Sequence, residues 1–239
     1  IMLINIHCAK CIGIEAVPVE VEVNIAQGLG IHLVGLADAA VKESLLRTIT
    51  ALQSRDFRVP GKKIVINLAP ADMHKKGSGY DLPIALGIIA ASKQRDLPLL
   101  DQFLIMGELG LDGTIKEIPG ALPLAELAVK KGLRGCILPL RSAVEAVELS
   151  GVEIYGVCDI EDVLRILSGE EVCEELLARN RFSQLKDNEA AGNNTEKTDD
   201  AMDFADIIGQ EGAKRGIEIA ASGGHNVILI GSQGCGKSS

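Results

Sequence analysis

The sequence predicts an α+β domain, a polar linker and then the opening of a second domain of α/β type. Three observations predict it. Val17, Val19, Val21, Val23 and Ile25 interleave with Pro18, Glu20, Glu22 and Asn24, the period of a strand with one buried face and one wet face. Residues 84–93 are apolar nearly all round, which predicts a central buried helix. Residues 227–230 are apolar and rich in β-branched side chains, and they run into a glycine-rich loop, as a buried parallel strand does.

The remaining elements follow in order. Residues 2–8 alternate weakly and predict a strand; 27–30 form a turn; 31–36 are a short strand. Asp38 is placed to cap a helix in which Val41, Leu45, Leu46, Ile49 and Leu52 repeat at helical spacing, through to about Arg55. Residues 58–63 break that helix, and 64–68 resume as a strand. A long polar loop then leads to Asp81, which can cap the buried helix; Pro83 is tolerated in a first turn. Residues 103–109 predict a strand, Asp112-Gly113 a hairpin turn and 114–118 its return strand. A helix over 121–131 follows. After it, strands at 135–138 and 152–157 alternate with helices at 142–149 and 160–167, and a last amphipathic helix is expected over 171–185.

Residues 186–203 hold almost nothing to bury and read as an acidic, flexible linker. The expected organisation is a first domain over 1–171, its last helix and the linker over 172–203, and the start of a second domain over 204–239. In that second domain a helix over 211–221 precedes the last strand.

Aliphatic side chains must build the cores, because aromatics make up 3% of a chain that is 47% hydrophobic. The same scarcity argues against stacking platforms for single-stranded nucleic acid. A net charge of -9 argues against a chain that coats nucleic acid electrostatically. No apolar run approaches the roughly 20 residues of a membrane span, and no signal sequence opens the chain, so a cytoplasmic location with no membrane partner is expected.

The densest chemistry is at the end. Gly231-Ser232-Gln233-Gly234-Cys235-Gly236-Lys237-Ser238 is the Gly-x-x-x-x-Gly-Lys-Ser pattern, followed by Ser239. Glycines let successive backbone N–H groups curl around one anion. Lys237 adds a mobile positive charge for the outer phosphates, and the Ser238 hydroxyl is placed to ligate Mg²⁺. A following helix would favour the same phosphates. The competing reading is an ordinary glycine-rich turn. ATP and Mg²⁺ are the expected cofactors. The chain stops at Ser239, so the acidic strand end and the neighbour's arginine that such ATPases use are expected beyond it, and the chain alone is expected to be inactive.

Two weaker features stand beside this one. Cys8 and Cys11 form a lone Cys-x-x-Cys between apparent strands; without a second pair they read as reduced, incidental thiols. Arg55, Arg58, Lys62, Lys63, Lys75 and Lys76 flank the strand at 64–68, as a solvated face or as a patch that meets DNA.

Val34-Gly35-Leu36, 40–44, Asn67-Leu68-Ala69-Pro70-Ala71-Asp72, 77–86, Gly107-Glu108-Leu109, 206–215 and Gly223-Gly224-His225-Asn226, in this order, resemble the magnesium-chelatase-like family of the competence protein ComM and of YifB. The resemblance spans essentially the whole chain. It implies a first domain of Lon-protease-like fold, related to the second domain of ribosomal protein S5, and a second domain of AAA+ ATPase type. It further implies a hexameric ring that works on DNA, in branch migration during recombination or competence. Ile207 and Ile208 would pack on adenine. The alternatives are a chelatase-type subunit that remodels a protein partner, and a Lon-like peptidase. The Lon-type serine nucleophile precedes the buried helix, and its lysine lies on a later helix. Here Asp81 and Leu122 fall at those places, so no peptidase activity is expected; Ser78 with the nearby Lys75 or Lys76 is the shifted dyad that stays open as an alternative.

Overall fold

The computed structural model describes residues 3–169, 173–182 and 211–223. The chain forms two compact units, Ile1–Ala191 and Gly192–Ser239. The first is a mixed α/β unit around a seven-stranded sheet.

Strands β1 (Leu3–Ile12) and β2 (Glu15–Ala26) form an antiparallel hairpin that runs from Leu3 opposite Asn24 to Ile12 opposite Glu15. The alternation in β2 is realised. Val19, Val21 and Val23 are buried beside Ile4, Ile6 and Cys8, and Glu20 and Glu22 lie on the other face. That face is not bare: Glu20 takes His7 at 2.8 Å and Lys131 at 2.9 Å, and Glu22 accepts from the Asn67 amide at 2.7 Å.

β3 (Ile31–Val34) runs parallel to β4 (Lys63–Ala69), which is antiparallel to β2. On the other side of β1, three strands lie parallel in turn: β5 (Phe103–Ile105), β8 (Gly135–Pro139) and β9 (Glu153–Val157). The order is β3-β4-β2-β1-β5-β8-β9, so most neighbours are parallel. The expected single strand over 103–109 divides. The Met106 N–H still reaches the Ile137 carbonyl of β8 at 3.3 Å, the Gly107 N–H turns away to the Gly79 carbonyl, and β6 (Glu108–Leu109) pairs instead with β7 (Ile115–Lys116) across the Asp112-Gly113 turn.

Helix α1 (Ala39–Ser54) starts where Asp38 accepts from the Val41 N–H at 2.8 Å. Its buried face differs from the expected one: Val41, Ser44, Thr48, Ala51 and Leu52 are buried, and Leu46 is 72% exposed. Ser44 can turn inward because its hydroxyl bonds the Val41 carbonyl. Helix α2 (Asp81–Ala91) is buried from Asp81 through Ala90. It lies so close to the sheet that a Cβ on Gly87 would stand 2.4 Å from the Val23 side chain. Gly35, at φ +100, brings the chain as tightly against β4.

Helix α3 (Ala121–Lys131) matches its expected span and sends Lys131 to Glu20 on the opposite sheet face from α2. The expected helix at 142–149 is shorter and earlier, as α4 (Leu140–Ala143) with a 3-10 turn at Val144–Ala146. α5 (Ile160–Ser168) is capped by Asp159. The helix expected over 171–185 is interrupted in its described part. A 3-10 turn at Glu174–Leu176 precedes an extended Leu177, which bridges to Tyr155 on β9, and α6 (178–182) follows. Burial of Leu177 against the sheet edge outweighs helix continuity. In the second unit α7 (Glu211–Gly223) is described, with Arg215 and Glu218 paired at 3.1 Å.

Candidate functional site

The loop between β4 and α2 is held by its own polar groups. The Ala69–Pro70 peptide is cis. The Lys75 N–H donates to the Leu36 carbonyl, and the Lys75 carbonyl accepts from the Asp38 N–H. The Lys75 side chain is buried, and its ammonium donates to the Pro70 carbonyl. Burial pulls its pKa below the ordinary lysine value, against the attraction of Asp72. Lys75 is therefore withdrawn from the surface patch in which the sequence placed it.

Asp81 does not cap α2. Tyr80 stands at the cap position, and Asp81 is the first helical residue. Its carboxylate, fully buried, accepts from Arg47 Nε at 3.0 Å, from Arg47 Nη2 at 3.4 Å and from the Leu109 N–H at 3.2 Å. Burial pushes the Asp81 pKa up, and the Arg47 guanidinium and the Leu109 N–H oppose it. One side chain thus ties α1, α2 and the β6–β7 hairpin together. The sequence offered no signal for Arg47, which sits 34 positions away on a different helix.

Ser78 lies beside this junction in a groove of about 330 Å³ lined by Cys11, Lys76, Tyr80, Glu108 and Ile118. Its hydroxyl donates to the Glu108 carboxylate. Among the described residues no lysine is hydrogen-bonded to it; the Lys75 ammonium is turned to Pro70. Leu122 on α3 is an exposed apolar side chain. Neither Lys75 nor the Leu122 position supplies Ser78 with the lysine base of a Lon-type dyad.

The six basic residues do not form one patch. Arg55 is committed to the hairpin: its Nε donates to the Asp112 carbonyl at 2.7 Å, and its Nη1 lies 3.6 Å from Asp159. Lys76 is exposed at the far end of β4, beside the groove. Arg58 and Lys62 lie before β4 and are exposed, and Lys63, half-buried, opens the strand. The pair Cys8 and Cys11 lies within β1 rather than between strands, and both thiols are free. No group of three potential metal ligands occurs among the described residues.

Residues 21–142 match the family model described as subunit ChlI of Mg-chelatase, and residues 203–239 match that for magnesium chelatase, subunit ChlI. The chain belongs to the magnesium-chelatase ChlI family. It is 39% identical over 242 residues to the uncharacterized protein YifB of Escherichia coli, covering 97% of this chain and 43% of that protein. It is 38% identical over 236 residues to the competence protein ComM of Haemophilus influenzae, with 97% and 44% covered. The chain thus spans less than half the length of these relatives. Weaker similarity reaches an archaeal Lon protease of Methanocaldococcus jannaschii, 26% identical over 60% of this chain and 22% of that protein. It also reaches the DNA repair protein RadA of Aquifex aeolicus, 31% identical over 44% of this chain and 22% of that protein.

The second family match contains the phosphate-loop pattern. Residues 231–239, and with them Lys237 and Ser238, lie outside the described residues, as do Ile207 and Ile208. The donor set read there (backbone N–H groups, the Lys237 ammonium and the Ser238 hydroxyl) is suited to a magnesium-bound polyphosphate. Among the described residues no helix is long and apolar enough to cross a membrane.

Proposed function

We propose that this chain is the leading part of an ATP-driven motor that works on DNA in the cytoplasm as a hexameric ring. Residues 1–171 form a domain of Lon-like, S5-related fold, 172–203 a connecting segment and 204–239 the start of an AAA+ domain. The observation that carries the reading is the 38% identity to a competence protein over 97% of the chain. The similarity to a DNA repair protein points the same way.

The family implies ATP and Mg²⁺. Bound MgATP would supply the γ-phosphoryl group whose transfer to water, with ADP leaving, drives the motor. The backbone of 231–236 and the Lys237 ammonium would hold its phosphates, Ser238 would hold the Mg²⁺, and Ile207 and Ile208 would flank the adenine. The test is whether ATP turnover by the full-length protein responds to single-stranded or branched DNA.

A second reading is favoured by the descriptions of the two family models: a chelatase-type subunit that remodels a protein partner. It predicts turnover that answers to a protein and ignores DNA. The Lon-like peptidase reading has geometry against it, because Asp81 is engaged by Arg47 and the Ser78 hydroxyl is given to Glu108. We expect no cleavage of unfolded casein by this chain or by the full-length protein. Cleavage that disappears in a Ser78→Ala variant would overturn that expectation.

A further inference from the structure

The fold assembles a basic surface that the sequence divides. Arg58 and Gln94 are 36 positions apart, yet they are joined by two hydrogen bonds. The Arg58 N–H donates to Gln94 Oε1 at 2.8 Å, and Gln94 Nε2 donates to the Arg58 carbonyl at 2.8 Å. Next to this clasp the Arg95 guanidinium lies over the Phe57 ring, 5.9 Å from its centroid. The clasp holds the segment just beyond the end of α2, which carries Lys93 and Arg95, against Phe57 and Arg58, a few residues before Lys62 and Lys63 at the start of β4.

Arg58, Lys62, Lys93 and Arg95 are exposed, and Lys63 is half-buried. Across these two segments the neighbouring acids are Asp56 and Asp96. Among the described residues none of the five cations is in an ion pair, whereas Arg47, Arg55, Arg134 and Arg141 each hold a carboxylate. A local excess of exposed cations stands on a chain whose net charge is -9.

We infer that Arg58, Lys62, Lys63, Lys93 and Arg95 form a docking surface for the phosphodiester backbone of DNA, an assignment that rests on the DNA-motor reading. The chemistry points to phosphates rather than to bases. The aromatic ring at the site, Phe57, is buried and covered by Arg95, so it offers no face for stacking. Guanidinium and ammonium groups here meet charge repeated along a strand, and recognition is independent of sequence. The Gln94 amide fixes the backbone at Arg58 to the end of α2, so the two segments are held together before DNA arrives. In a ring the surface is repeated, and several weak contacts act together.

The test is DNA affinity of the full-length protein as a function of salt. One variant carries Arg58→Gln, Lys62→Gln, Lys93→Gln and Arg95→Gln. A charge-matched control carries Lys10→Gln, Lys42→Gln, Lys116→Gln and Lys130→Gln. If each of the four groups meets a phosphate, the slope of log affinity against log salt falls in magnitude by about 3–4 for duplex DNA, and affinity near 0.1 M salt drops at least about tenfold. The control keeps the wild-type slope. The milder pair Lys62→Gln and Lys93→Gln leaves the clasp and the Phe57 contact in place. It lowers the slope by about 2, which keeps the test valid if the fourfold variant folds poorly. Equal slopes and affinities in the cluster variants and the control would overturn the surface while leaving the motor reading standing. A wild-type protein that binds no DNA would overturn both.

Discussion

Lys237→Ala in the full-length protein lowers ATP turnover by at least about a hundredfold while leaving the unfolding midpoint of the protein where it was. An ammonium aimed at the outer phosphates stabilises charge that develops as the phosphoryl group transfers, and loss of one such group costs about 10²–10³ in rate. The role read for Lys237 is toward a ligand and not toward the core, so the unfolding midpoint is expected to stay. Turnover by the purified variant, measured beside thermal unfolding, checks both halves. Undiminished turnover would show that the glycine-rich run is an ordinary turn.

The second large effect belongs to the buried junction. Arg47→Ala destabilises this chain by about 3 kcal/mol near neutral pH, because it leaves the Asp81 carboxylate buried without its cation. The pH dependence has a definite sign. Burial raises the Asp81 pKa in the folded state above its ordinary value of 3.8. The stability linked to that proton is therefore fully present below about pH 3.8 and is lost as pH rises through the raised folded value. Arg47 opposes the raise, so its removal lifts the folded value further and deepens the loss. The gap between wild type and Arg47→Ala should thus be smallest in acid and widen toward neutral pH. Asp81→Asn placed on the Arg47→Ala background should recover much of the loss at neutral pH, since a neutral amide can still accept from the Leu109 N–H. Urea midpoints across a pH series read all three variants. A gap that does not change with pH would mean that Asp81 is not the group responsible.

Local pattern made the elements legible, because side-chain period and turn chemistry act over a few residues. The alternation in β2, the unbroken apolar run of α2, the Asp112-Gly113 turn and the span of α3 are each set within their own segment. The buried face of α1 was not legible. Apolar residues lie on more than one side of that helix, and only packing against α2 decides that Ser44 and Thr48 turn inward and Leu46 outward. The roles of Asp81 and Lys75 were misread for one reason. A charged residue in a polar loop is ordinarily a cap or a surface group, and each of these is buried by partners far away in sequence: Arg47 for Asp81, the Leu36–Asp38 segment for Lys75. The basic surface was half legible. Arg58, Lys62 and Lys63 lie close together in sequence, but Lys93 and Arg95 join them only through the Gln94 clasp. The glycine-rich run at 231–238 is read from consecutive residues alone, and it lies outside the described residues.

The central claim is that ATP hydrolysis in this protein serves work on DNA. The most direct measurement is the ATP turnover of the full-length protein with no addition, with single-stranded DNA and with a branched junction. The account predicts a rise with DNA that vanishes in Lys237→Ala and weakens in the variant lacking Arg58, Lys62, Lys93 and Arg95. Turnover that is indifferent to every form of DNA, and that rises with a protein partner instead, would contradict it.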